Sequence, residues 1–377
     1  MSEIYTYLDQ LNKTSDTMSG LFGAQTSASS SASATQGDLT KDVQLTSPPE
    51  DSISDLAFNP QRDFLSVASW DKKVRIYEID ASGNSQGKAM FEHEGPVLNT
   101  CWSKDGTKVF GAGADKAARM LDLGANSTTA QQVAAHNEPI RCVESIMVQG
   151  NPMLVTGSWD KTVKYWDLRQ QQPVATLECQ DRVYCMDVRD QLLVIGTAER
   201  WINVVNLNEP AKFYKQMQSP LKWQTRTVAC FTDATGFAVG SIEGRCAIQY
   251  VEDKDASSNF SFKCHRSNVP NQRDVANVFS VNTISFHPQH GTFSTAGSDG
   301  TFHFWDKDAK HRLKGYPEVG GTISATDFNS SGSIFAYAVS YDWSKGYAHN
   351  NQSLPNKIML HPIQAEECKP RPGGKKR

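Results

Sequence analysis

Ser158-Trp159-Asp160-Lys161-Thr162-Val163-Lys164-Tyr165-Trp166 decides the fold, because it comes back twice along the chain. Ser69-Trp70-Asp71-Lys72-Lys73-Val74-Arg75-Ile76-Tyr77 repeats it upstream, and Gly297-Ser298-Asp299-Gly300-Thr301-Phe302-His303-Phe304-Trp305 repeats it downstream. Weaker copies fill the intervals. With the acidic turn residue as marker the series is Asp71, Asp115, Asp160, Glu199, Glu243, Asp299 and Asp342, at separations of 44, 45, 39, 44, 56 and 43 residues. A chain of 377 residues has the length of two or three domains, but seven copies at a near-constant period make it one fold built from repeats. Around Asp160, the runs Ile140 to Val143, Met153 to Thr156 and Thr162 to Trp166 are β-branched or aromatic and are split by Gly-, Asn- and Asp-bearing turns, so each unit predicts short strands.

Composition bounds the function classes. Charged residues at 21%, a hydrophobic set of 38%, and 17 Phe, 8 Trp and 11 Tyr supply a sizeable core and exclude wholesale disorder. The formal charge of -3 excludes a polyanion binder that works by bulk charge, so any nucleic-acid contact must come from a local basic patch. The longest apolar run, Ile334 to Val339, is far too short to span a bilayer, and Met1 to Leu11 lack the pattern of a secretory signal. A reducing compartment is expected, with the eight cysteines as thiols.

A period of about 40 to 45 residues with four short strands per unit and a terminal Trp-Asp pair is similar to the WD-repeat β-propellers, over Val43 to Pro362. The expected fold is all-β, a seven-bladed WD40-type β-propeller over 42–363. A Ser/Thr/Ala-rich extension over 1–41, expected to be disordered, precedes it, and a basic tail over 364–377 follows it. In the third unit His136, Thr156, Asp160 and Trp166 have the spacing of the buried hydrogen-bond chain of such repeats rather than of a catalytic triad, and His265, Thr295, Asp299 and Trp305 repeat it in the sixth. The second unit keeps His93 and Asp115 but has Gly111 and Leu121, which breaks the chain. Cys101, Cys142, Cys185 and Cys230 recur at the same place in successive first strands and read as small buried hydrophobes. No C-x-x-C pair exists, and His287 and His290 flank Pro288 without a carboxylate or thiol at ligand spacing, so neither metal nor cofactor is expected.

Two further expectations concern the ring. A strand near Val43 to Thr46 should pair with the last strand, Lys357 to His361, because closing the circle removes exposed sheet edges. The separation of 56 between Glu243 and Asp299 places an insertion within Ser267 to Val278, expected on the partner-binding face.

Segments outside the repeat pattern carry a closer resemblance. Thr46-Ser47-Pro48-Pro49-Glu50-Asp51-Ser52-Ile53, Ser241-Ile242-Glu243-Gly244-Arg245, Phe262-Lys263-Cys264-His265-Arg266, Phe304-Trp305-Asp306-Lys307-Asp308 and Ser340-Tyr341-Asp342-Trp343-Ser344-Lys345-Gly346 together resemble the WD-repeat mRNA export factors of the nuclear pore. The second and third are shared with the related spindle-checkpoint propellers; the Thr-Ser-Pro-Pro opening, the Tyr-Asp-Trp-Ser-Lys-Gly segment and the N-terminal extension favour the export factors. The resemblance implies a non-enzymatic scaffold, a monomeric propeller that forms a heterodimer with an FG-nucleoporin through its GLEBS segment. It also implies contact with single-stranded RNA and a place at the nuclear pore complex and nuclear envelope, with shuttling to the cytoplasm. Residue by residue, Arg245 and Lys263 match the basic pair that meets acidic residues of the GLEBS segment; read without the family, Arg245 caps its turn and Lys263 is a solvated charge. Phe262, Trp305, Asp306, Lys307 and Lys310 match a side groove for RNA or a viral inhibitor, with Lys310 where the family often has Arg. Gly20-Leu21-Phe22-Gly23 is a single GLFG, either a weak hydrophobic sticker or an inert linker, and Ile4 to Leu11 is a candidate short helix. Trp166-Asp167-Leu168-Arg169 fits the W-D-x-R pattern of ubiquitin-ligase substrate receptors, a rival reading alongside the checkpoint adaptor.

Overall fold

The computed structural model describes residues 36–272 and 274–370. Seven four-stranded antiparallel sheets form the blades of a propeller, each with its first strand innermost. Blade 1 is Ile53–Phe58, Phe64–Ser69, Lys73–Ile79 and Ser85–Glu92; blades 2, 3 and 4 start at Val97–Trp102, Ile140–Val148 and Val183–Arg189. Blade 5 is Thr225–Cys230, Gly236–Ser241, Arg245–Tyr250 and Phe260–Lys263, and blade 6 is Val281–Phe286, Phe293–Gly297, Phe302–Asp306 and His311–Gly315. All seven acidic markers follow the second strand of their blade. In blade 3 the first two strands run longer than the apolar pattern suggests. Glu144 and Ser145 pair onward with Val155 and Leu154, and Gln149 and Gly150, both at positive φ, turn the chain.

Blades are held to one another by apolar packing. Among the described residues there are seven buried clusters, and each joins one adjacent pair of blades. Strands alternate their side chains between two faces, so every blade gives residues to the cluster on either side. Phe302, Phe304, Phe335 and Tyr337 fill the seam between blades 6 and 7, for example.

The ring closes as the sequence suggests. Val43–Gln44 forms the outer strand of blade 7, pairing Val43 with Leu360 and Gln44 with Met359 of Lys357–Pro362. Packing reaches past the expected limits of 42 and 363 at both ends. Upstream, Gln36 makes a parallel bridge to Gly315 of blade 6 and Leu39 packs against the blade 6–7 cluster. Downstream, a short helix, Ala365–Cys368, docks where the Thr292 hydroxyl donates to the Cys368 carbonyl at 2.7 Å. His361 ties the two ends together, with Nδ1 2.6 Å from Asp42 and Nε2 3.3 Å from Glu367. Burial alone would depress the His361 pKa, but its bonds to the two carboxylates outweigh that and raise it to about 9.

Two excursions leave the blade plan. Arg266–Asn268 and Ala276–Val278 form a hairpin between blades 5 and 6, in the place expected for the insertion. The connection 340–356 in blade 7 is long as well, and stacks Trp343 on Trp70 of blade 1 with ring centroids 3.9 Å apart. The spacing of markers gives no sign of it, because the extra residues follow Asp342, the last marker.

Candidate functional site

The polar chains of blades 3 and 6 are structural. Trp166 Nε1–H donates to the Thr156 hydroxyl at 2.8 Å, Thr156 donates to His136 Nε2 at 2.7 Å, and His136 Nδ1–H donates to Asp160 at 2.9 Å. The same order runs from Trp305 through Thr295 and His265 to Asp299. Burial would raise the Asp160 carboxyl, but hydrogen bonds from His136 and Thr162 hold it well below its ordinary value. In blade 2 His93 lies 3.1 Å from Asp115 while its Nε2 is buried without a partner, the broken chain that Gly111 foretells. A side chain at Gly111 has no room: an added Cβ would lie 2.6 Å from Val74 Cγ2.

Arg245 and Lys263 are direct cross-strand partners at the top of blade 5, so both side chains stand on one face of its outer hairpin. Like charges directly opposite each other oppose the pairing, which makes this a local conflict in need of a reason. Among the described residues Glu243 alone answers it, 3.8 Å from Arg245 and already receiving the Lys222 amide. Lys263 is exposed and has no ion pair among the described residues. Gly244 sits at φ 60 in the tight turn just before Arg245, where a Cβ would lie 2.7 Å from the Cys264 carbonyl.

Further back along the same strand, Phe260 and Phe262 point to one side, stacked with centroids 6.0 Å apart, and Phe262 meets Trp305 of blade 6 at 4.5 Å between centroids. All three rings are half-buried. Lys310, exposed at the foot of blade 6, holds its ammonium 4.8 Å from the Phe260 ring. Lys307 is placed differently. It is 8% exposed, lies 5.0 Å over the Phe231 ring and pairs with Asp308 at 2.9 Å. Burial would lower its pKa, and the Asp308 bond raises it instead. Asp306 is buried and accepts from the amides of Asp308 and Ala309, so it shapes the turn that presents Lys310.

Lys263 of the basic pair and Trp305 of the aromatic groove line one cavity, although alternation along the strand turns the Lys263 and Phe262 side chains to opposite faces. A cavity of about 590 Å³ under the insertion hairpin has Lys263, Arg266, His303, Trp305 and Arg312 in its wall. Arg266 is fixed by donating to the carbonyls of Glu243 and Gly244, and burial, with His265 and Arg312 nearby, lowers His303 to about 3. Sequence reading missed Phe260, Arg266 and Arg312. The first was legible, since a period of two puts Phe260 on the face of Phe262. The others depend on where the hairpin folds.

Other candidates fall into place. Arg169 turns back on Asp167 through bonds of 2.8 and 2.6 Å. His287 uses both ring nitrogens, Nε2 toward the Gly332 carbonyl and Nδ1 as acceptor for the Gln289 and His290 amides, and burial lowers it to about 4. All eight cysteines are buried and free. Gly20 to Gly23, Ile4 to Leu11 and the last basic residues of the tail lie outside the described residues.

Comparison with known proteins agrees with the fold. The WD domain, G-beta repeat model matches residues 42–78, 127–167 and 258–306. The mRNA export factor GLE2 of Chaetomium thermophilum is 67% identical over 364 residues, covering 96% of this chain and 100% of that protein. The Poly(A)+ RNA export protein of Schizosaccharomyces pombe is 59% identical, covering 93% of this chain and 98% of its own length. The mRNA export factor of Bos taurus is 47% identical, over 94% of this chain and 98% of that one. A seven-bladed ring with this insertion and this coverage by relatives has one reading: the chain belongs to the family of WD-repeat mRNA export factors.

Proposed function

We propose that this propeller is a non-enzymatic scaffold of mRNA export that holds an acidic GLEBS-type segment of an FG-nucleoporin and contacts single-stranded RNA at the nuclear pore. The carrying observation is the Arg245–Lys263 cross-strand pair, two cations on one face with a single nearby carboxylate. Glutamates of a bound segment relieve that repulsion and form charge-assisted bonds. The segment passes under or beside the insertion hairpin, whose cavity opens next to Lys263. RNA takes the groove below, with a base against Phe262 and Trp305 and a phosphate at Lys310. Lys307, held by Asp308 and the Phe231 ring, supports the groove wall rather than reaching for phosphate.

The propeller acts as a monomer in a heterodimer with the nucleoporin, in the nucleus and at the nuclear envelope, with passage to the cytoplasm. The names of its relatives favour export over a checkpoint role. Arg169 pairs with its neighbour Asp167 but stays 77% exposed, and loss or retention of adaptor binding in Arg169→Ala separates the ligase reading from this one. Titration of a GLEBS peptide and of a single-stranded RNA, separately and together, tests the proposal. Binding of the peptide with unit stoichiometry, and RNA binding that weakens with salt, are expected; no peptide binding at micromolar protein contradicts it.

A further inference from the structure

We propose that the aromatic groove between blades 5 and 6 is the docking place of the chain's own Gly20-Leu21-Phe22-Gly23 segment. The groove has an apolar floor of Phe260, Phe262 and Trp305 with Lys310 at its foot, and the cavity that adjoins it at Trp305 adds Lys263, Arg266 and Arg312 against Glu318 and the His265-bound Asp299, a net positive surround. An occupant must therefore bring an apolar anchor and no positive charge. Between Thr14 and Thr35 the one charged residue is Asp16, and the large apolar residues are Met18, Leu21 and Phe22. Glycines on both sides of Leu21-Phe22 let the backbone come close to a wall of rings.

The point and heading of chain entry favour this groove over other surfaces. Gln36 is fixed to Gly315, the last residue of the outer strand of blade 6, and Gly37 donates to the Gly315 carbonyl at 2.8 Å. Gly37 is pinned against Tyr316, where a Cβ would lie 2.1 Å from Cε1. The bridge is parallel, so Gln36-Gly37 runs in the same direction as His311–Gly315, the strand at whose start Arg312 pairs with Trp305 and Lys310 stands. Thirteen residues, spanning fourteen peptide steps, lie between Phe22 and Gln36. Their reach is at most roughly 45 to 50 Å, against about 15 Å for the length of the blade 6 outer strand, so the tether suffices with residues to spare. A short tether supplies its segment at an effective concentration on the order of millimolar, enough for a weak contact to be populated. Whether RNA binds the groove does not enter this inference.

The test uses the full chain. Ser19→Cys is labelled with a nitroxide, which the eight buried native thiols permit, and the tryptophans are replaced by 5-fluorotryptophan, with Trp305 assigned through Trp305→Phe. The Trp305 fluorine resonance should broaden and recover when the nitroxide is reduced, and Leu21→Ser with Phe22→Ser should remove the broadening. An unaffected Trp305 overturns the proposal, as does broadening that survives the double change. Broadening between separately labelled chains would make the occupant a second copy and overturn it too. A fluorescein-tagged GLFG peptide gives an independent readout: it should bind the Leu21→Ser/Phe22→Ser chain at least threefold tighter than the wild type, and equal binding overturns the proposal.

Discussion

Thr156 shows how one hydroxyl holds a blade. It accepts from Trp166 and donates to His136, so Thr156→Ala leaves two buried polar atoms unpaired, an expected loss of about 2 to 4 kcal/mol in denaturant unfolding. The matching change in blade 6, Thr295→Ala, should cost a similar amount, and a loss below about 1 kcal/mol in both would show that the chains are ornamental. Blade 2 supplies the control. There Val74 occupies the space a threonine would need, so Gly111→Thr should destabilise the protein even though it restores the missing hydroxyl beside His93 Nε2. A gain in melting temperature would contradict that reading. The residues of these chains were legible in the sequence because their types and spacings repeat. Arg266 and Arg312 were not, because nothing in a repeat marks a residue that acquires its role from an insertion folding over it.

Among the elements, the insertion hairpin and the closing strand matter most. Arg266–Asn268 and Ala276–Val278 make a two-stranded ribbon with Val275 and Val278 exposed, a structure of marginal stability by itself. Replacing it with a short Gly-Ser linker should weaken GLEBS peptide binding while leaving the blades folded; unchanged affinity would remove the hairpin from the interface. The closing strand depends on the His361 latch. Because the folded His361 pKa is raised to about 9, its stabilising effect is complete below the unfolded value of about 6.5 and fades as pH rises through 9. Glu367 is shifted down by the same contact, burial notwithstanding, so its share appears above its unfolded value and is lost on acidification. Wild-type stability should therefore fall between pH 6.5 and 9 by more than that of His361→Gln, as unfolding midpoints at the two pH values would show. The sequence revealed the strand pairing because an unclosed ring would leave sheet edges exposed, but not the latch, whose members Asp42, His361 and Glu367 are brought together only by closure of the ring.

At the scale of the molecule, a ring of seven similar blades has no free sheet edge at the seam only if its first strand belongs to its last blade. Removing residues 1–35 should leave melting nearly unchanged. Removing 1–48 takes away Asp42 and the fully buried Leu45 and should lower stability by several kcal/mol, on the order of one large side chain plus a buried ion pair. Equal melting of the two truncations would contradict closure by the N-terminal strand. The number of blades, their order and the seam were all readable from period and turn chemistry, since each blade must satisfy the same packing on both sides. The candidate site was readable only in part: Arg245, Lys263, Phe262 and Trp305 could be named while Phe260, Arg266 and Arg312 were missed, and which of them meet depends on the register that sets Arg245 opposite Lys263 and on Trp305 crossing to Phe262. The central claim is that this cation pair holds an acidic segment. Calorimetric titration of a GLEBS peptide into the Arg245→Glu/Lys263→Glu protein, with circular dichroism to confirm the strands, tests it most directly: two attractions become repulsions, so affinity should fall by at least about a hundredfold. Near wild-type affinity in an intact propeller would contradict the account and move the contact surface elsewhere.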